Sequence, residues 1–250
     1  MGTAEGGSCL VITTLASGLL FYLGMRKQRL AAVVERTPTT SAAQPVAGGR
    51  IEITGTVVAG EKTFETLVPG RRAVWCHLSI EEVDDSGHDE TRRTVFDDLR
   101  TAEFIVDDRS GRTARVVPPQ ARSSLVTSDS AKAGTREQVL ARLKKIGVTG
   151  FNPKKLAWKE TALYVGDTVY VLGRGEVVAG PPEADGYRTM SATEQLVMRG
   201  TPEAPLVLAA MTEARYLQHL KGKAASYFIW GLVIAAAGAL VSVLASLASG

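Results

Sequence analysis

Cys76 and His77 are adjacent, and a thiol beside an imidazole is the pairing that nucleophilic catalysis exploits. Both sit in the alternating run RAVWCHLSIEEV, which reads as a strand, and neighbours on a strand point to opposite faces. The expectation is therefore Cys76 in the core and His77 on the rim, with no dyad. Zinc needs three or four thiolate or imidazole ligands placed together. The chain offers Cys9 and Cys76 with His77, His88 and His219, far apart in sequence, so no metal is assigned. The carboxylate pairs Asp84-Asp85, Asp97-Asp98 and Asp107-Asp108 are candidates for acid–base or cation chemistry. The first and last fall in turn-like sequence, where Asp supports local backbone bonds. GRGEVVAG (residues 173–180) lacks the spacing of a phosphate loop and opens no helix, so it reads as a β turn. No catalytic set and no cofactor are expected.

The elements that would position these residues begin and end in apolar chain. Gly6 to Met25 is a run of 20 uncharged residues and Ala224 to Gly250 a run of 27. At a helical rise of about 1.5 Å per residue each reaches the roughly 30 Å of a hydrocarbon slab. Glu5 precedes the first run, and Arg26, Lys27 and Arg29 follow it, a stop-transfer flank rather than a cleaved signal. Cys9 precedes its apolar stretch, so lipid acylation is not expected. The two runs predict transmembrane helices at 6–25 and 224–248, and a lipid bilayer as partner.

Cations crowd the inner flanks: Arg26, Lys27, Arg29 and Arg36 after the first run, and Arg215, Lys221 and Lys223 before the second. The positive-inside rule then places the intervening domain in the cytoplasm. The net charge is +3, with 29 cationic and 26 acidic side chains interspersed, so no basic stripe for nucleic acid is present and no nucleic-acid partner is expected. Two cysteines in such different contexts exclude a disulfide framework.

Residues 26–49 turn to Ala, Thr, Ser, Pro and Gly without periodicity and read as a solvated linker. Residues 50–208 read as one β-rich domain. RIEITGTVVA alternates, RAVWCHLSIEEV places Val74, Cys76, Leu78 and Ile80 on one face, and AEFIVDDRSGRTARVV is a hairpin around Asp107 to Gly111. A helical insertion is expected near 135–147, where Thr135 and Gln138 form a capping box, Val139, Leu140, Leu143 and Ile146 make one stripe, and Gly147 is the stop. ETALYVGDTVYVLGRGEVVAG returns to β, with a turn at Gly166-Asp167 and a second break at Gly173 to Gly175. Ser191 with Glu194 repeats the capping-box signature before QLVMR, and 209–223 reads as a juxtamembrane helix running into the second apolar run. The fold class is α+β, mainly β: a small β barrel or sandwich with peripheral helices, flanked by two transmembrane helices.

In the second apolar run Gly231, Ala235 and Ala239 lie four apart, as do Gly238, Ser242 and Ser246. Small residues at this spacing let helices approach closely in lipid. They are the candidate contacts for a homo-oligomer through the second membrane helix.

Taken together, TLVPGRRAVWCHLSIEEV, AEFIVDDRSGRTARVVPP, WKETALYVGDTVYVLGRGEV and YRTMSATEQL, in this order between two apolar runs, resemble the GIDE domain, also called the beside-a-membrane domain. The eukaryotic members are mitochondrial and chloroplast outer-membrane ligases for ubiquitin or its relatives, in which a zinc RING follows the second membrane helix. The chain stops at Gly250, directly after that run, so the resemblance implies the fold and the membrane arrangement without the RING-dependent activity. It also implies an extracytoplasmic domain, opposite to the flanking charges. The functional expectation is a non-catalytic, membrane-proximal recognition domain for an unidentified protein or small ligand. The alternatives are the membrane component of a ubiquitin-ligase-like system with its catalytic partner in trans, or a membrane-permeabilising effector.

Overall fold

A computed structural model describes residues 3–44, 48–67, 71–84, 90–119, 125–126, 134–179 and 194–248, with the side chains of 3–10, 194, 246 and 248 excluded. The chain divides into two compact units, Met1–Thr37 with Ala214–Gly250, and Pro38–Glu213. The first is built from two long helices, α1 (Thr3–Arg36) and α3 (Glu213–Ala248). The second holds eleven strands and α2 (Arg136–Lys145) among its described residues. The expected class, α+β with mostly strands, is what the chain adopts.

The β unit is organised around a closed five-stranded barrel of β1 (Arg50–Val58), β5 (Phe104–Asp107), β6 (Thr113–Val117), β10 (Glu194–Arg199) and β9 (Thr168–Ala179). β1 closes it by serving two neighbours: Arg50–Thr56 lies antiparallel to β9, and Thr56–Val58 antiparallel to β5. β5 and β6 form the expected hairpin around Asp107–Gly111, β6 runs parallel to β10, and β10 returns antiparallel to β9. Closure leaves no open edge within the ring. Ile51, Ile53, Val57, Phe104, Val106, Val116, Val169, Val171, Leu196 and Met198 fill it. On the flank of β9, β11 (Val207–Ala209) pairs antiparallel with that strand and parallel with β7 (Leu125–Val126).

A second sheet has β3 (Arg72–Asp84) at its centre, with β4 (Thr91–Thr101), β8 (Leu156–Tyr164) and the short β2 (Phe64–Glu65) paired to it. α2 covers one face, burying Val139 and Leu143 against Leu67, Leu78, Ile80 and Leu156. Its start is the expected capping box: the Thr135 side chain accepts from the Gln138 amide, and the Gln138 side chain accepts from the Thr135 amide. Its stop is Gly147, at φ +75°, a left-handed conformation that disfavours any side chain.

Several expectations are corrected. Of the expected linker at 26–49, described residues are in part helical and in part packed on the β unit. The Ala-rich sequence continues α1 to Arg36, as its helix propensity favours. Beyond it, the Thr40 amide bonds the Glu52 carbonyl at 2.8 Å, the Ala42 amide bonds Asp108 Oδ2 at 2.8 Å, and Ala42 joins the barrel core. Val74 does not share a core with Leu78 and Ile80: the register of β3 against β8 skips it, so Val74 and Trp75 turn into the barrel core. One extra residue in a bulge rotates the strand in this way. The Gly166-Asp167 turn is present, yet β8 and β9 belong to different sheets, so it is a corner and not a hairpin. Gly173 to Gly175 is no break, because β9 runs straight through it. A Cβ on Gly173 would come within 2.5 Å of Leu206 Cδ1 and 3.0 Å of the Arg199 carbonyl oxygen, so this glycine serves close packing. Glu194–Arg199 is strand β10 and no capped helix, while Ser191 lies outside the described residues. The last helix starts at Glu213 rather than 209, after β11.

Candidate functional site: a small-residue helix seam and two buried carboxylates

In the helical unit α1 and α3 pack antiparallel. Partner positions descend on one helix as they rise on the other: Thr13 faces Gly238, Phe21 faces Gly231, Gly24 faces Phe228, and Glu35 pairs with Lys221 at 2.5 Å. Along the seam Ser17, Gly24 and Ala31 on α1 and Ala224, Gly231 and Gly238 on α3 are buried, while nearer the charged ends the larger Val34, Tyr216 and Leu220 are buried as well. The small residues of each helix, Ser17, Gly24 and Ala31, and Ala224, Gly231 and Gly238, are spaced by seven, the period that keeps a seam facing its partner. The six residues spaced by seven are all small, so the backbones approach closely along that stretch. A Cβ on Gly24 would lie 2.8 Å from the Phe228 ring, and one on Gly238 would lie 2.4 Å from Thr13 Oγ1.

The stripes expected to join separate copies are thus split. Gly231 and Gly238 are taken up by α1 of the same chain. Ala235 and Ala239 are exposed on other faces, and half-buried Ser242 donates to the Gly238 carbonyl of its own helix at 2.9 Å. Ser246's side chain lies outside the described residues. A four-residue spacing was visible in the sequence, whereas the helix pair uses the seven-residue one, legible only when both helices are aligned.

Away from the seam the helices expose large apolar side chains, among them Ile12, Leu15 and Leu19 on α1 and Leu232, Leu240 and Leu244 on α3. Among the described residues one helix, Glu213–Ala245, is long and apolar enough to cross a membrane, and 11% of its apolar window is buried.

In the β unit Glu52 on β1 is 1% exposed. Strand alternation turns it away from the barrel interior occupied by Ile51 and Ile53, and the Thr39–Thr40 segment lies over it as an isolated bridge. Its carboxyl accepts from the Thr39 hydroxyl at 3.0 Å and the Tyr170 hydroxyl at 2.5 Å, and it also meets the Glu213 carboxyl. Burial pushes its pKa up, against the two hydroxyl bonds that lower it, with Glu213 adding to the rise. Reading from pattern alone missed Glu52, because alternation assigns it to solvent unless the covering segment is known.

Glu160 on β8 is the second buried carboxylate, 4% exposed. It accepts from the Leu67 amide at 2.7 Å and the Tyr164 hydroxyl at 3.2 Å, and burial raises its pKa. The Arg71 guanidinium stacks over the Tyr164 ring at 3.5 Å. Cys76 lies beside Glu160 in a small cleft shared with Arg100 and Arg142. Burial, with the Glu160 charge as the next cause, pushes its thiol up to about 12. A thiol so placed stays protonated and unreactive at neutral pH. His77, on the opposite face, bonds Asp97 at 3.1 Å.

The carboxylate pairs serve the fold. Asp84 pairs with Lys155 at 2.5 Å and Asp98 with Arg100 at 2.6 Å. Asp107 accepts from the Arg109 amide at 2.8 Å, and Asp108 from the Ser110 amide at 3.0 Å. Asp85 and His88 lie outside the described residues. Among the described residues no three His, Cys, Asp or Glu side chains are grouped to hold a metal ion. Compared with family models, curated proteins and solved structures, the chain matches none.

Proposed function

We propose that this chain is a two-pass membrane protein whose β-rich unit is a non-catalytic recognition domain held near the bilayer, of the GIDE type that its sequence resembles. The observation that carries the reading is the helix pair. Its seam is lined by small residues seven apart while its other faces are oily, an arrangement suited to lipid and costly in water. At 34 and 36 residues, each helix exceeds the roughly 20 residues needed to span, leaving turns to emerge on the charged side. Support for a recognition role comes from the β unit, in which Glu52 of the barrel and Glu160 and Cys76 of the second sheet are engaged in packing and hydrogen bonds.

The test is membrane extraction followed by accessibility mapping. The full chain in cell membranes stays in the pellet after alkaline carbonate washing. Single cysteines introduced at Lys62 and Arg112, both in the β unit, label on the same side of the bilayer. Protection from an impermeant maleimide in intact cells places that unit in the cytoplasm, as the flanking charges favour, and labelling places it outside. Release by carbonate defeats the two-pass reading, and turnover of a substrate by the purified chain defeats the non-catalytic one.

A further inference from the structure

The inner ends of the two helices carry seven cations: Arg26, Lys27, Arg29 and Arg36 on α1, and Arg215, Lys221 and Lys223 on α3. Their distribution around the seam is uneven. On one flank Lys221 is neutralised by Glu35 at 2.5 Å, beside a groove of about 410 Å³ floored by Ala32, Ala225 and Phe228. Helical periodicity and the antiparallel register put Lys27 and Lys223 on the other flank, on opposing helices. His219 is within electrostatic reach of both. Among the described residues no carboxylate pairs with either lysine. Two like charges converging without a counter-charge are unfavourable unless an anion sits between them.

The next turns into the apolar segment bear on which anion it is. Tyr227 and Trp230 follow Lys223 on the same flank of α3, and Tyr22 precedes Arg26 on α1, with the guanidinium 6.0 Å above its ring. Trp230 is 59% exposed and Tyr22 53%. Cations, then amphipathic aromatics, then uncharged, mostly apolar chain is the layering of headgroup, interface and hydrocarbon. We infer that Lys27 and Lys223 form a headgroup site for an anionic phospholipid, its phosphate bridging the two ammonium groups across the helix seam. The inference rests on the two-pass reading. Beyond that reading, it makes the seam partly dependent on lipid charge.

The experiment reconstitutes the full chain in nanodiscs of phosphatidylcholine alone and of phosphatidylcholine mixed with phosphatidylglycerol, then extracts it gently and weighs retained lipid by native mass spectrometry. The expected result is retention of phosphatidylglycerol over phosphatidylcholine. Lys27→Gln and Lys223→Gln should each lower that preference roughly fivefold, the weight of one cation at a charged lipid surface. Arg112→Gln, in the exposed β5–β6 turn, should leave it unchanged. Equal retention of the two lipids, or a preference that survives the double lysine variant, overturns the site while the two-pass reading stands. Displacement of phosphatidylglycerol by millimolar inorganic phosphate overturns the lipid as ligand in favour of a soluble anion. A chain that enters neither kind of disc overturns the two-pass reading itself.

Discussion

The Ser17 hydroxyl donates to the Gly231 carbonyl at 2.9 Å, across 214 positions of chain and buried in the seam between α1 and α3. A side chain at position 231 would meet the Phe21 ring at 3.0 Å, so the bond depends on glycine there. Such interhelical bonds contribute about 0.6 kcal/mol on average in lipid. The close approach that permits them contributes more, through dispersion along the whole seam.

Gly238→Leu is expected to open the helix pair. The new side chain meets Thr13 from its first carbon, at 2.4 Å, and overpacking of this kind costs about 1–3 kcal/mol. Thr13→Gly should restore part of the loss. Cysteines placed on α1 at Leu20 and on α3 at Ile234, one turn beyond Gly231, report the result: crosslinking within the chain falls in the leucine variant and recovers in the double. An unchanged crosslink in Gly238→Leu would sink the seam.

The stability of the β unit should fall as pH rises from the ordinary carboxylate range. Glu52 and Glu160 both have pKa values raised by burial. Between the unfolded value and the raised folded value the native state binds more protons, and unfolding becomes easier with each step up in pH. The Glu52→Gln chain keeps an acceptor for the Tyr170 hydroxyl and loses the titration, so its urea midpoint should vary less with pH above about 4.5. A profile identical to that of the unsubstituted chain counts against Glu52 as its source.

Cys76 should resist alkylation until the β unit unfolds, since the residue is 7% exposed and burial pushes its thiol up to about 12. In a Cys9→Ser background, the rate of iodoacetamide labelling at neutral pH should follow urea concentration through the unfolding transition. Labelling in the absence of denaturant at the rate of a free thiol would contradict the burial described.

The second sheet depends on α2. Leu143 is fully buried, and Leu143→Ala should cost about 2–5 kcal/mol. Thr135→Ala removes half of the capping box and should cost about 1 kcal/mol. Chemical denaturation followed by Trp fluorescence measures both, and a larger loss for the cap than for the leucine would reverse the ranking.

α2 was legible from its sequence because its signals are local: a capping pair three residues apart, a stripe at helical period, and Gly147 to end it. The Asp107–Gly111 hairpin was legible for the same reason, its turn bonds closing within two residues. Barrel closure was not. It depends on β1 dividing its length between β9 and β5, and on β6 lying parallel to β10, pairings between strands separated by tens of residues.

By itself the amino-acid sequence determined the oily ends, the β period between them, the capped helix and the scarcity of ligating groups, because composition and short-range spacing act within a few residues. Tertiary structure alone decided that Gly231 and Gly238 lie against α1, that the Gly166 turn leads from one sheet to the other, and that Glu52 is buried. Each of these depends on which distant segment arrives to cover a face. A covering segment leaves no periodicity in the sequence it covers.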